Sequence, residues 1–399
     1  MPMHLTKEDK DMLAGGQGRA TQKAMQILVA LGKIYGAERM IPISSVQVAG
    51  VSYDNLGEAG LQFLSEMADG GGRVRVLTTL NPAGMDRENW RSLGIPVDFA
   101  EKQLRVLDAF SRMGVETTCT CTPYLAGNLP GLGDHLAWSE SSAVCYANAV
   151  LGALSNREGG PSALAAALTG RTPEYGMHLV ANRAPSIAFH VEPPLHETRD
   201  YGALGKVIGK KIEASKAIPF ISGVRSASLE NLKSFCASLA TYGGVALFHM
   251  AGITPEADQY APSSEVITIT ATQLEEASRS LNDGTLEEVD FISLGCPHLS
   301  LPEIAHLASL LQGKIVKKEF WVTTVRPTKH LADRMGYTHI IEEAGAKFAA
   351  DTCCVVAPIR GRFSVMATDS AKACYYAYAK NKLKTVFLPF DEVVRQALQ

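Results

Sequence analysis

From Ala20 to Pro123 helical and strand-like patterns alternate, and this alternation restricts the fold more than any other feature of the 399 residues. ATQKAMQILVALGKIYG carries apolar residues at helical spacing and stops at Gly36. RMIPISSVQVAGVSY reads as a strand running into a glycine-containing loop, and LGEAGLQFLSEMADGG as an amphipathic helix. RVRVLTTLNPAG reads as a strand broken by an Asn-Pro turn, FAEKQLRVLDAFSRMG as a helix, and VETTCTCTPY as a strand ending at Pro123. Strands and helices in this rhythm predict α/β layers around a mainly parallel sheet.

After Pro130 the texture changes. GLGDHLAWSESSAVCYANAVLGAL and NREGGPSALAAALTG read as two Ala-rich helices, each entered through a polar turn. PPLHETRDYGALGK reads as a loop between elements. SLENLKSFCASLATYG then predicts a helix, VALFHMAGI and VITITA strands, EVDFISLGCPH a strand, LPEIAHLASLLQG a helix and KEFWVTTV a strand. SAKACYYA is expected to be helical. Before all of these, Thr6 with Asp9 fits a capping box at the first helix. The changes of texture suggest α/β lobes over residues 1–130, 131–285 and 286–399, gathered around one site.

Lys and Arg number 38 against 41 Asp and Glu, for a net charge of −3. There is no basic run, so a nucleic-acid partner is not expected. The apolar stretches SAVCYANAVLGAL and GGVALFHMAGI are too short or too broken for the roughly 20 residues of a membrane span. MPMHLTKEDKDML lacks the apolar core of a signal peptide. A cytoplasmic protein is expected.

In that compartment eight cysteines do not make a disulfide framework. Three expected strand ends carry cysteines beside turn-forming or polar residues: TCTCTPY, SLGCPH and DTCCVVAP. Ligands collect at the carboxyl ends of strands in α/β folds, so three such cysteines can converge. Thiolates at that point would suit an iron–sulfur cluster, and three rather than four would leave one iron open to substrate. The opposing reading is that all eight are buried small hydrophobes. No CxxC occurs, so neither a zinc ribbon nor a ferredoxin run applies. The CxC and CC doublets leave open which member of each would ligate.

The segments ISSVQVAGVSY, TTLNPAGMD, TCTCTPY, GDHLAWSESSAV, NREGGPSALAAAL, LGCPH, DTCCVVAP and SAKACYYA, in this order, resemble the aconitase X family, in particular the large subunit of its archaeal two-subunit form. The resemblance runs from about Leu5 to Phe387. It implies an aconitase-like multi-layer α/β fold equivalent to aconitase domains one to three, with the swivelling domain as a separate small subunit in a heterodimer. It implies a hydro-lyase of the mevalonate pathway of isoprenoid biosynthesis, one that dehydrates (R)-5-phosphomevalonate to trans-anhydromevalonate 5-phosphate. By resemblance a 4Fe-4S cluster is held by Cys121, Cys296 and Cys353. Cys119 stays a rival for Cys121, because positions i and i+2 of a strand face the same way, and Cys354 neighbours Cys353. The catalytic base is expected on the small subunit. Gln47 and Asp369 depart from the family pattern.

A substrate with a carboxylate and a phosphate needs anion holders. Gly50, Val51 and Ser52 in a strand-exit loop could offer backbone N–H groups. Asn81 and Pro82 form a second such turn, although both also read as ordinary β-turns. Ser139, Glu140, Ser141 and Ser142 start an Ala-rich helix, an anion site or plain N-capping. The resemblance points to Glu140 and Ser141 as substrate contacts. Lys372 is a candidate phosphate or carboxylate partner, and Arg157, read as opening the next helix, a second cation. His135, His249 and His298 are lesser candidates, His298 because it follows Cys296 by two.

Two rivals remain. One keeps the fold and changes the substrate to cis-3-hydroxy-L-proline, the substrate of bacterial relatives, or to another small hydroxy acid. The other is a non-enzymatic iron–sulfur or RNA-binding aconitase-like protein, which the lack of basic runs argues against.

Overall fold

The computed structural model describes residues 3–399 apart from 214, 216, 263 and 264. Helices α1 (Lys7–Ala14) and α2 (Arg19–Tyr35) open the chain. Thr6 and Asp9 form the expected capping box, with N–H to side-chain oxygen distances of 2.8 and 3.1 Å. Gly36 ends α2 in the left-handed region (φ 69°). Strands β1 (Met40–Pro42), β2 (Ser45–Val48) and β3 (Leu77–Leu80) follow, with α3 (Tyr53–Asp69) and α4 (Val97–Arg112) as crossovers. Then come β4 (His135–Trp138), α5 (Ser141–Ala149), β5 (Leu154–Arg157), α6 (Gly160–Thr169) and β6 (Arg171–Pro173). The sheet order is β3-β2-β4-β5, all parallel, beside an antiparallel ribbon of β1 and β6.

The second unit holds β7 (Ile187–Val191), α7 (Thr198–Ile212), β8 (Pro219–Ser222), α8 (Leu229–Gly243), β9 (His249–Met250), β10 (Val266–Ile269) and α9 (Ala271–Arg279). Its parallel order is β10-β7-β8-β9. α7 and α8 pack backbone to backbone: a Cβ on Gly209 would stand 2.8 Å from Gly243 N, so only glycine fits that crossing. The third unit holds β11 (Phe291–Leu294), α10 (Leu301–Leu311), β12 (Glu319–Thr324), α11 (Arg326–Arg334), α12 (Tyr337–Glu343), β13 (Lys347–Ala350), β14 (Val365–Thr368), α13 (Ala371–Tyr376), β15 (Lys384–Phe387) and α14 (Phe390–Leu398). Its order, β13-β12-β11-β14-β15, is again parallel throughout. Fully buried strands such as FISL, apolar but for Ser293, show no polar-apolar alternation because both faces are covered.

Side chains of β4 alternate between two cores. Ala137 packs with Val46, Leu80 and Leu164 of the first unit, while Leu136 and Trp138 pack with Phe189, Tyr201 and Phe235 of the second. Met85, Trp90 and Phe99 pack with Phe291, Trp321 and Met366, which ties the first unit to the third. Burying each such large apolar side chain is worth about 1.5–3 kcal/mol.

Four expectations need correction. HLAW and LSNR are strands β4 and β5, not lead-ins to helices; four residues, three of them buried, are too few to show a period. A lobe boundary at residue 130 would therefore cut the first sheet, between β3 and β4. VETTCTCTPY is not a strand: it makes a single bridge, Leu80 to Cys119, and then turns. PPLHETRDYGALGK is no loop throughout, since α7 starts at Thr198 within it. Among the described residues no helix is long and apolar enough to cross a membrane.

Candidate active site

Parallel strands deliver their carboxyl ends to one side, and here two sheets meet end to end. Ala49 follows β2, Asn81 and Pro82 follow β3, Ser139 and Glu140 follow β4, and Arg157 ends β5. From the third sheet, Cys296 follows β11, Cys353 follows β13, and Lys372 sits in the first turn of the helix after β14. These residues, with Cys121 and Ser141, line one cavity of about 210 Å³. Gly295 permits the approach of the Cys296 loop: its φ is 106°, and a Cβ would lie 2.1 Å from Thr323 O.

The doublets separate by environment. Cys121 and Cys353 face the cavity, whereas Cys119 lies in the first unit's core and Cys354 among Trp321, Phe291 and Met366. The i, i+2 rule does not apply to Cys119 and Cys121, because the chain leaves extended geometry at the bend after Thr120. Burial pushes the Cys121 thiol up to about 12, with the Lys372 charge the chief opposing influence. Burial also raises Cys296, again opposed first by Lys372. Cys353 is raised by burial and then by the charges of Cys296, Cys354 and Cys121.

Among the described residues no three His, Cys, Asp or Glu side chains stand close enough to share a single metal ion. Three thiols spread around one cavity wall suit a cluster, whose irons sit apart and each take their own thiolate. Asn81 Oδ1 and Ser139 Oγ, both buried in that lining, have no hydrogen-bond partner among the described residues and so retain capacity for a ligand. The donor set and these two atoms fit such a group.

Glu140 is the hub of the polar wall. It caps α5, its Oε1 accepting from Ser142 Oγ at 3.0 Å and Ser142 N at 3.4 Å, while Asn81 Nδ2 donates to Oε2 at 2.8 Å. Lys372 Nζ donates to the same carboxylate. Burial works to raise the Glu140 carboxyl, but the Lys372 charge and hydrogen bond outweigh it, and the group ends at about 2. Burial works against the Lys372 ammonium, yet the Glu140 charge leaves its pKa above the ordinary value. Lys372 is thus a cation already paired with Glu140. Arg157 is exposed on the same cavity, with no ion pair among the described residues, and it ends a strand instead of opening a helix.

Gly50, Val51 and Ser52 are not in the lining; Ala49 takes that place. Val51 and Ser52 are buried beneath it, and Ser52 Oγ donates to Val356 O at 3.1 Å, pinning the Cys353 loop. Gln47 fills its departure from the family pattern structurally, donating to Thr120 O and accepting from Glu140 N. Asp369 lies behind Cys296 with Lys233 and Glu303, and burial pushes its carboxyl up to about 7.

His135 begins β4, at the amino end of the sheet away from the cavity, where its Nδ1 meets His178 Nδ1 at 3.0 Å. His249 Nε2 bonds Arg183 O at 2.8 Å, and His249 is absent from the lining. Burial pushes the His298 imidazole down to about 4, so it is neutral, and both ring nitrogens are taken by protein groups. Tyr376, Val355 and Val356 also line the cavity and escaped the sequence reading. Tyr376 was within reach, because it stands four residues after Lys372 and so shares its helix face. Larger surface hollows of about 520 and 590 Å³ contain none of the cysteines.

Comparison with known proteins gives the family. Models of the aconitase X first, second and third domains match residues 2–181, 185–279 and 289–399. The chain is 46% identical to the phosphomevalonate dehydratase large subunit of Methanothermobacter thermautotrophicus, over 98% of each chain. It is 36% identical to the cis-3-hydroxy-L-proline dehydratase of Hypocrea jecorina, covering 94% of this chain and 65% of that one. It superposes on the holo-form crystal structure of Thermococcus kodakaraensis aconitase X with a TM-score of 0.92 at 44% identity, covering 99% and 100% of the two chains.

Proposed function

The chain belongs to the aconitase X family, and from that premise we propose that it is the large subunit of a hydro-lyase that dehydrates (R)-5-phosphomevalonate to trans-anhydromevalonate 5-phosphate. The observation that carries this reading is the single cavity in which Cys121, Cys296 and Cys353 face Asn81, Glu140, Lys372 and Arg157. Cys121, Cys296 and Cys353 would hold a 4Fe-4S cluster. When bound, such a cluster supplies an iron without a protein ligand, a Lewis acid for the substrate's tertiary hydroxyl.

The chain's own groups bind and orient. The Asn81 amide and the Ser139 hydroxyl have free hydrogen-bonding capacity for substrate oxygens. The Glu140–Lys372 pair is nearly neutral as a unit, so it orders the wall without adding net charge. Phosphomevalonate carries about −3 near neutral pH, counting a phosphate of roughly −1.5 to −2. Arg157 is the cation on this cavity left to meet the phosphate, and its planar fork matches phosphate oxygens bidentately. The base that removes the proton is expected from a small-subunit partner closing over the cavity, so this chain alone should not turn over. The chain spans 98% of the phosphomevalonate relative and 65% of the hydroxyproline one.

The test is anaerobic co-purification with the small subunit, followed by assays on phosphomevalonate and on cis-3-hydroxy-L-proline. Dehydration of the first alone is expected. Turnover of hydroxyproline alone would overturn the substrate assignment, and an active, iron-free enzyme would overturn the cluster.

A further inference from the structure

All four hydrogen-bonding groups of His298 are engaged, and they reach three separate segments, around Cys121, Lys233 and Thr352. Its N–H donates to Cys121 Sγ at 3.2 Å. Its carbonyl accepts from Lys233 Nζ at 2.9 Å, and Lys233, buried on α8 of the second unit, is also paired with Glu303. Ring Nδ1 lies 3.0 Å from Thr120 Oγ1, and ring Nε2 lies 2.9 Å from Thr352 O. A carbonyl only accepts, so Nε2 carries the ring proton, and Nδ1 accepts from the Thr120 hydroxyl. Thr120 precedes Cys121 by one residue, Thr352 precedes Cys353 by one, and His298 follows Cys296 by two. One fully buried residue therefore touches all three thiol-bearing segments and the second unit besides.

We propose that His298 is a positioning residue which holds Cys121, Cys296 and Cys353 at the mutual spacing a cluster needs. The proposal rests on the cluster reading above. Cys296 and Cys353 follow β11 and β13 of the third sheet, whereas Cys121 lies on a segment tied to the first sheet only by the Leu80–Cys119 bridge, so no shared element of secondary structure fixes all three. His298, itself part of the Cys296 segment and hydrogen-bonded to the other two, does so. With both nitrogens occupied, the ring has no group free for the substrate, which separates this role from acid or base catalysis.

The test compares the parent with His298→Ala, His298→Gln and Thr120→Val, each co-produced with the small subunit and purified without oxygen. Iron and sulfide per folded chain are measured against increasing concentrations of a ferrous chelator. Loss of a group that orients metal ligands costs about 10- to 100-fold in metal affinity, and a loss of that size is expected for His298→Ala. His298→Gln puts an amide N–H where Nε2 stood and should recover part of it. Thr120→Val removes the Nδ1 bond from the other side, so a shift in the same direction is expected even if His298→Ala fails to fold. If the variants hold iron like the parent while kcat falls, His298 is catalytic and the proposal is overturned. If only the unfolding temperature falls, with iron per folded chain at the parent level, it is merely structural, and the proposal is equally overturned. A parent that takes up no iron overturns the cluster reading as well, an outcome distinct from a loaded parent with loaded variants.

Discussion

Lys372, in the first turn of α13, pairs with Glu140, the cap of α5, so a helix of the third unit and a helix packed into the second are joined by buried opposite charges inside the cavity. Neither charge could be buried alone at acceptable cost. The pair therefore comes with a specific stability signature.

Lys372→Met leaves the Glu140 carboxylate buried and uncompensated, a loss of about 3–5 kcal/mol. Adding Glu140→Gln should return most of that stability, because an amide needs no counter-charge. Thermal unfolding of both singles and the double checks this. A double variant as unstable as Lys372→Met would show that the pair is not what holds this wall. Because Glu140 is depressed to about 2, its contribution is complete above its ordinary value of 4.5 and declines as pH falls from there toward 2.

Arg157→Gln should raise KM for phosphomevalonate about ten- to a hundredfold, the equivalent of a charged hydrogen bond of about 1.5–3 kcal/mol. Iron content should be unchanged, since no thiol is touched. Steady-state kinetics would show it, and a parent-like kcat/KM would mean that the phosphate is met elsewhere, by the small subunit for instance.

Cys121→Ser, Cys296→Ser and Cys353→Ser should each lose iron and sulfide. Cys119→Ser and Cys354→Ser should keep them, because those side chains face apolar cores. Metal and sulfide analysis decides, and a full cluster in any of the first three removes that residue from the ligand set.

Far from the cavity, burial and then the His135 charge hold His178 down at about 3, against an ordinary 6.5. Unfolding lets this imidazole take a proton that the folded chain refuses. Its neutral burial therefore costs no stability above pH 6.5, and stability is lost progressively as pH falls from 6.5 toward 3. His178→Asn, which can keep a hydrogen bond to His135, should flatten that acid limb. Unfolding temperatures across the window give the slope, and parallel curves for parent and variant would refute the assignment.

Local physics determined much of this protein before any tertiary contact. Period and caps predicted α2, α3, α4, α8 and α10, down to the Thr6–Asp9 box and the stop at Gly36. Cysteines beside Gly, Pro and polar residues marked the segments that meet at the cavity, although the Cys121 segment proved not to be a strand. What local pattern could not supply was distance and direction. HLAW and LSNR are strands only because β2 and one another complete their hydrogen bonds. Cys119 and Cys121 are alike in sequence, and only packing sends one into a core and the other to the cavity. Lys372 and Glu140 stand 232 positions apart, so nothing along the chain could reveal that each cancels the other's charge. Helices and turns arise from neighbours within a few residues and are therefore written locally. Burial, pairing and pKa arise from what folding brings within a few ångströms, and only the assembled structure decides them.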